Sequence, residues 1–159
     1  MIAAFLLSLA TAAIVGPLAG MSLDQAAKQL PARHRIGVVA YSAYSRAADL
    51  KNGVYLYPPL GIAAVICGLA AALAGHLQGL PSETLLPLDL GAALAVAHTA
   101  VTAKAAPINL SQHKLDPADE TGLARVFDRF ALWNGVRAIL QLANFAASLW
   151  ATVLLGRGL

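Results

Sequence analysis

The sequence predicts an all-α fold, an integral membrane four-helix bundle, and three observations carry that prediction. Of its 159 residues, 58% are hydrophobic and only 12% are charged. A soluble domain carries about 25% charged residues because its surface must be hydrated. Four separate stretches reach the roughly 20 mostly apolar residues that a helix needs to cross a bilayer. Lysine and arginine gather in alternate connections between those stretches. A soluble enzyme, a nucleic-acid partner and a disordered tail are all disfavoured by this composition. The lone Cys67 excludes disulfide scaffolds, CxxC redox pairs and cysteine zinc sites.

The first span, residues 1–20, contains no charged residue. It has no basic leader, its apolar stretch exceeds that of a signal peptide and no A-x-A site follows, so it is expected to be retained. The second span covers about 57–75, the third about 88–106 and the fourth about 130–155, the last with Arg137 inside it. Pro31, Pro58, Pro59, Gly79, Pro81, Pro87, Pro107 and Pro117 read as breakers between them.

Lys28, Arg33, Arg35, Arg46 and Lys51 lie in the connection 21–56, and Lys104, Lys114, Arg125 and Arg129 lie in or beside 107–129. The connection from His76 to Pro87 has no lysine or arginine, and the C-terminus has only Arg157. Positive charge stays on the cytoplasmic side, so both long connections are expected there and both termini outside. The expected location is the bacterial inner membrane, with anionic lipid heads as partners of the basic loops. Tyr55 and Tyr57 then read as an interfacial belt. Within the first connection, 36–56 reads either as an amphipathic helix along the interface or as an extension of the second span.

The second span carries Gly61, Ala64, Gly68, Ala71 and Gly75 at steps of three and four, a face suited to close helix packing in lipid. In the fourth span Asn134, Arg137, Gln141, Asn144 and Ser148 form one polar stripe, which must face the bundle interior. Such groups act as interhelical glue worth about 0.6 kcal/mol per bond, which is the reading for Asn144 and Ser148. An intramembrane charge points to function, unless Arg137 snorkels to the interface. On the third span His98, Thr102, Asn109 and His113 share one side if the helix continues past Pro107. The expected result is a polar pocket between spans three and four, open to the cytoplasm, built from Asn109, Asn134, Arg137, Gln141 and His98. Trp133 stands at its inner boundary.

No metal site is expected. His98 and His113 are 15 residues apart, about 22 Å along a helix at 1.5 Å per residue. No span holds a carboxylate at its middle, which argues against proton-coupled export, and Asp89 is expected to pair with Arg157. There is no Ser-His-Asp spacing, glycine-rich phosphate loop or haem signature, and no cofactor is expected.

The segment AAPINLSQHKL, a short acidic loop and then RFALWNGVRAILQLANFAASLWA resemble the anthrone oxygenase-like family of small four-span membrane proteins. That family shows a Pro-x-Asn turn after its third span and a Trp, a His or Asn, and an Arg at the start of its fourth. These map to Pro107, Asn109, Trp133, Asn134 and Arg137. YSRAADLKNGVYLYPPLGIAAV is similar to the family's aromatic, charged run into a proline-led second span. The resemblance implies oxidation of an anthrone to an anthraquinone by dioxygen, without an obvious cofactor. The expected function is thus oxygenase-like, on a hydrophobic aromatic or quinone-like small molecule. Arg137, Asn109 and Asn134 would stabilise an enolate or phenolate oxygen, and His98 or His113 would take the proton. Trp133, Gln141 and His113 would contact the substrate. The alternative is a non-catalytic accessory subunit of a larger membrane complex, or a lipid- or quinone-binding protein, with a homo-oligomer open in either case.

Overall fold

In a segment without water, every backbone N–H and C=O must be satisfied internally, and a helix does this within one stretch of chain. The computed structural model describes residues 1–158, and almost all of them are helical. Helix α1 (Ile2–Asp24) passes through a π turn at Gln25–Gln29 into α2 (Leu30–Ile36). Gly37, at φ +86°, reverses the chain into α3 (Val38–Ala47), a second π turn at Ala48–Gly53 and α4 (Val54–Leu77). A turn with Gly79 at φ +62° leads to α5 (Ser82–Leu110), which ends in a 3₁₀ turn at Ser111–Lys114. Helix α6 (Glu120–Gly156) follows, its first turn capped by Asp119 accepting from the Gly122 N–H at 2.8 Å.

Four continuous helices, Ile2–Ile36, Val38–Leu77, Ser82–Lys114 and Glu120–Gly156, are long and apolar enough to cross a membrane. At 1.5 Å per residue each is about 50–60 Å long, well beyond the ~30 Å of a hydrocarbon core. The surplus lies at the basic end. The connection expected at 21–56 is therefore a helical hairpin, and 36–56 extends the second span.

The prolines expected to break helices at positions 58, 59, 87 and 107 lie inside α4 and α5. Apolar helices absorb proline because neighbouring helices and local adjustments re-satisfy the freed backbone groups.

Each helix packs on two neighbours: α1 on α4 and α6, and α5 on the same two. At the end carrying both termini the packing is close. Ala4, Ala71, Ala72, Leu88, Ala92, Ala151 and Leu155 form one buried cluster. A Cβ on Gly75 would meet Leu88 Cδ1 at 2.8 Å, and one on Gly68 would touch Ala95 Cβ at 3.7 Å. Ser8 Oγ donates to the Ser148 carbonyl at 3.2 Å and lies 3.0 Å from Thr152 Oγ1, which ties α1 to α6. Asp89 pairs with His76 at 2.9 Å rather than with Arg157, because the two face each other across the short α4–α5 turn.

At the basic end the core is bulkier: Leu30, Tyr41, Ala105, Leu123, Phe127 and Phe130. Tyr41 and Phe127 meet edge to face with centroids 4.8 Å apart. Arg46 Nη2 donates to the Gln112 and Leu115 carbonyls at 2.6 and 3.3 Å, covering the open C-terminal end of the third helix.

Candidate functional site

Between the closely packed end and the aromatic end lies a cavity of about 340 Å³, within the range of small-molecule sites. All four helices line it. Leu18, Ser22 and Gln25 come from the first, and Asp49 to Ile62 supply its second wall. His98 to Leu110 supply the third wall, and Phe130, Arg137 and Gln141 the fourth. The pocket expected between spans three and four is thus a site of the whole bundle. The helical extension of spans one and two is what carries their polar residues to it.

Arg137 points inward and does not snorkel. Its Nη2 donates to Gln25 Oε1 at 3.0 Å and to Asn134 Oδ1. Among the described residues it forms no salt bridge. Its Nε has no partner, and neither do Asn134 Nδ2, Gln141 Oε1 or either ring nitrogen of His98. All these atoms are buried. An unpartnered buried polar atom costs about 1–3 kcal/mol. Arg137, Gln141 and His98 meet that cost in the lining of one cavity, from the facing helices α5 and α6, where a ligand or water can repay it.

Asp49, from the π turn before α4, is a carboxylate in this cavity. It accepts from Ser45 Oγ at 2.8 Å and shares the cavity lining with Gln25, Asn109 and Arg137. A carboxylate thus reaches the cavity from outside the apolar spans, whose middles hold none. Asn109 lines the cavity, but its Oδ1 accepts from Gln112 Nε2 at 2.8 Å. Gln112 is held in turn by Ser42 Oγ at 3.0 Å and Ser45 Oγ at 3.3 Å. These buried groups roof part of the cavity at the basic end. The exposed lining lies between α4 and α5.

Of the residues expected from the sequence, Arg137, His98, Gln141 and Asn109 line one cavity, and Asn134 stands behind Arg137. Two do not join them. Trp133 lies outside, under Lys104 Nζ at 5.1 Å from the ring centroid. Adjacent helix positions differ by 100°, so with Asn134 facing in, Trp133 faces away. His113 is exposed. The 3₁₀ turn at Ser111–Lys114 has three residues per turn, which places Gln112 rather than His113 under Asn109.

Tyr57, expected as a belt residue, also lines the cavity, and Gln25 and Asp49 were not expected there. The signal for them was the continued helical spacing of Ser22 with Gln25, and of Ser42, Ser45 and Asp49, in a segment read as a connection. Compared with protein-family models, curated proteins and solved structures, the chain matches none.

Proposed function

We propose that the chain is a membrane-embedded, oxygenase-like protein of the bacterial inner membrane, with its basic end in the cytoplasm and both termini outside. Its substrate in this reading is a hydrophobic aromatic or quinone-like ring compound. The observation that supports it best is the one cavity lined by Arg137, Gln141 and His98, with Arg137 Nε, Gln141 Oε1 and both His98 ring nitrogens buried and unpartnered. The anthrone oxygenase-like resemblance of the segments around Pro107, Asn109, Asn134 and Arg137 supplies the reaction class.

In this reading the ring oxygen of an anthrone-type substrate sits against Arg137, with Asn134 fixing the guanidinium. His98 removes a proton from the CH₂ across the central ring from that oxygen, and Arg137 stabilises the resulting enolate in a dry site. The carbanion passes electrons to dioxygen and forms a C–O bond, giving a hydroperoxide once protonated. Loss of water then leaves a carbonyl. The balance is one CH₂ and one O₂ consumed, one C=O and one H₂O formed.

The test is oxygen uptake by the protein in nanodiscs with an anthrone as substrate. Arg137→Gln is expected to lower turnover by about 10²–10³, the cost of removing one oxyanion donor. Turnover unchanged in Arg137→Gln would overturn the mechanism. Ring binding without any oxygen uptake would replace it with the quinone-binding reading.

A further inference from the structure

The cavity's lining is asymmetric. Leu18, Gln25, His98, Asn109 and Phe130 are buried, whereas Val54, Tyr57, Pro58, Ile62, Thr99 and Leu110 line the cavity and are also exposed on the outside of the bundle. The exposed set comes only from the second and third helices, so the cavity has one mouth, facing sideways. Ile62 and Thr99 fall within the apolar spans 57–75 and 88–106, so this part of the mouth lies at a level where the surroundings are hydrocarbon, while Val54 and Leu110 carry it toward the basic end. Thr99 Oγ1 is spent on the Ala95 carbonyl at 2.9 Å, which leaves its methyl to the mouth.

The geometry of α4 explains the gap. Gly68 and Gly75 hold α4 against α5 near the terminal end, but a Cβ on Gly61 would meet nothing within 4 Å. Below it, Pro58 and Pro59 lack the N–H groups that the Val54 and Tyr55 carbonyls would otherwise receive. The π turn at Ala48–Gly53 precedes them. This is the least regularly bonded stretch of the second helix, and it forms one lip. The Tyr57 ring stands over Gly53, where a Cβ would come within 2.7 Å of it.

We propose that this mouth is a lateral portal from the bilayer, and that the ligand is a ring compound with an aliphatic tail, its ring inside and its tail passing between α4 and α5 into the lipid. This rests on the ring-binding reading of the cavity above. Of the polar atoms awaiting partners, Arg137 Nε and Gln141 Oε1 come from α6, which takes no part in the mouth. Arg137 Nε requires an acceptor and Gln141 Oε1 a donor. A ring bearing both a carbonyl and a hydroxyl meets both, and the apolar lips receive whatever projects away from that pair.

The experiment uses the full chain in phosphatidylethanolamine–phosphatidylglycerol nanodiscs. Two photoreactive aryl-azide probes are compared, a hydroxynaphthoquinone with a geranyl tail and the same ring without one. Labelling of cavity peptides that the unmodified quinone competes away is read by mass spectrometry. Ile62 and Ile66 are one turn apart and similarly exposed, at 62% and 61%, but only Ile62 lines the cavity.

Ile62→Trp is expected to cut labelling by the tailed probe at least about tenfold through a clash at the lip. Ile66→Trp should leave it unchanged. Equal labelling in the two variants, or labelling by the tailless probe alone, overturns the portal while the ring-binding cavity stands. No competable labelling by either probe, or full labelling in Arg137→Gln, overturns the ring-binding reading and the portal with it.

Discussion

At the end of the bundle that carries both termini, the helices meet through alanine and glycine. At the basic end, Tyr41, Phe127 and Phe130 stand between them. Small residues let backbones approach until the space between helices is filled by the helices themselves. Aromatic side chains hold the rods apart, and Phe130 lines the cavity that results. Most of the polar residues divide along the same line, and Asn144 Nδ2, buried without a partner in the tight half, stands apart. Ser8, Ser148 and Thr152 spend their hydroxyls on each other and on backbone in the tight half, whereas Arg137, Gln141 and His98 keep free atoms beside the cavity. One polar stripe on α6 thus serves as glue at one end and as a binding wall at the other. The spacing of the helices decides which.

Five substitutions sharpen or break this contrast. Phe127→Ala should cost the most, about 3–5 kcal/mol, since the ring is fully buried against Tyr41. It is measured by denaturation in mixed micelles beside Leu132→Ala, a change at an exposed position on the same helix. Equal losses would mean that the aromatic cluster does not brace the basic end.

Glycine replacements come next, because the same change should act oppositely at the two ends. Gly75→Leu forces a side chain into Leu88 and Leu85 and is expected to destabilise by about 1–3 kcal/mol or more. Gly61→Leu enters open space in the cavity. It should leave the melting temperature in place and abolish competable quinone labelling.

Smaller still is Ser8→Ala, which removes the α1–α6 hydroxyl link at a cost of about 0.6 kcal/mol. A loss several times larger in a refolding titration would make that link structural rather than glue. The smallest effect is expected from His113→Ala. His113 lies outside the cavity, so anthrone-dependent oxygen uptake should match the parent chain, and a lost proton-transfer step would return His113 to the site.

Much of the site was legible because α6 is regular. Asn134, Arg137 and Gln141 recur at steps of three and four in an apolar background, and such a stripe has no low-energy orientation except inward. His98 followed by matching depth along an antiparallel neighbour. The misses have one origin, the assumption that helices stop where apolar runs or prolines say so. Gln25 and Asp49 lie in π turns within continuous helices. Conversely, the α-helical spacing that joined His113 to Asn109 fails where α5 tightens into a 3₁₀ turn and Gln112 takes the inner position.

Composition and periodicity by themselves determined that this chain forms four long apolar helices and that α6 turns Arg137, Gln141 and Asn144 to the interior. Both follow from the cost of exposing charge or unpaired backbone to an apolar medium, which is a local matter. Only the tertiary structure decided that Asp49 and Gln25 join them, that the basic end is partly roofed by Gln112 and its partners, and that the gap opens between α4 and α5. Those outcomes depend on how closely rods of different side-chain size can approach one another. That distance belongs to pairs of helices and is carried by no single stretch of sequence.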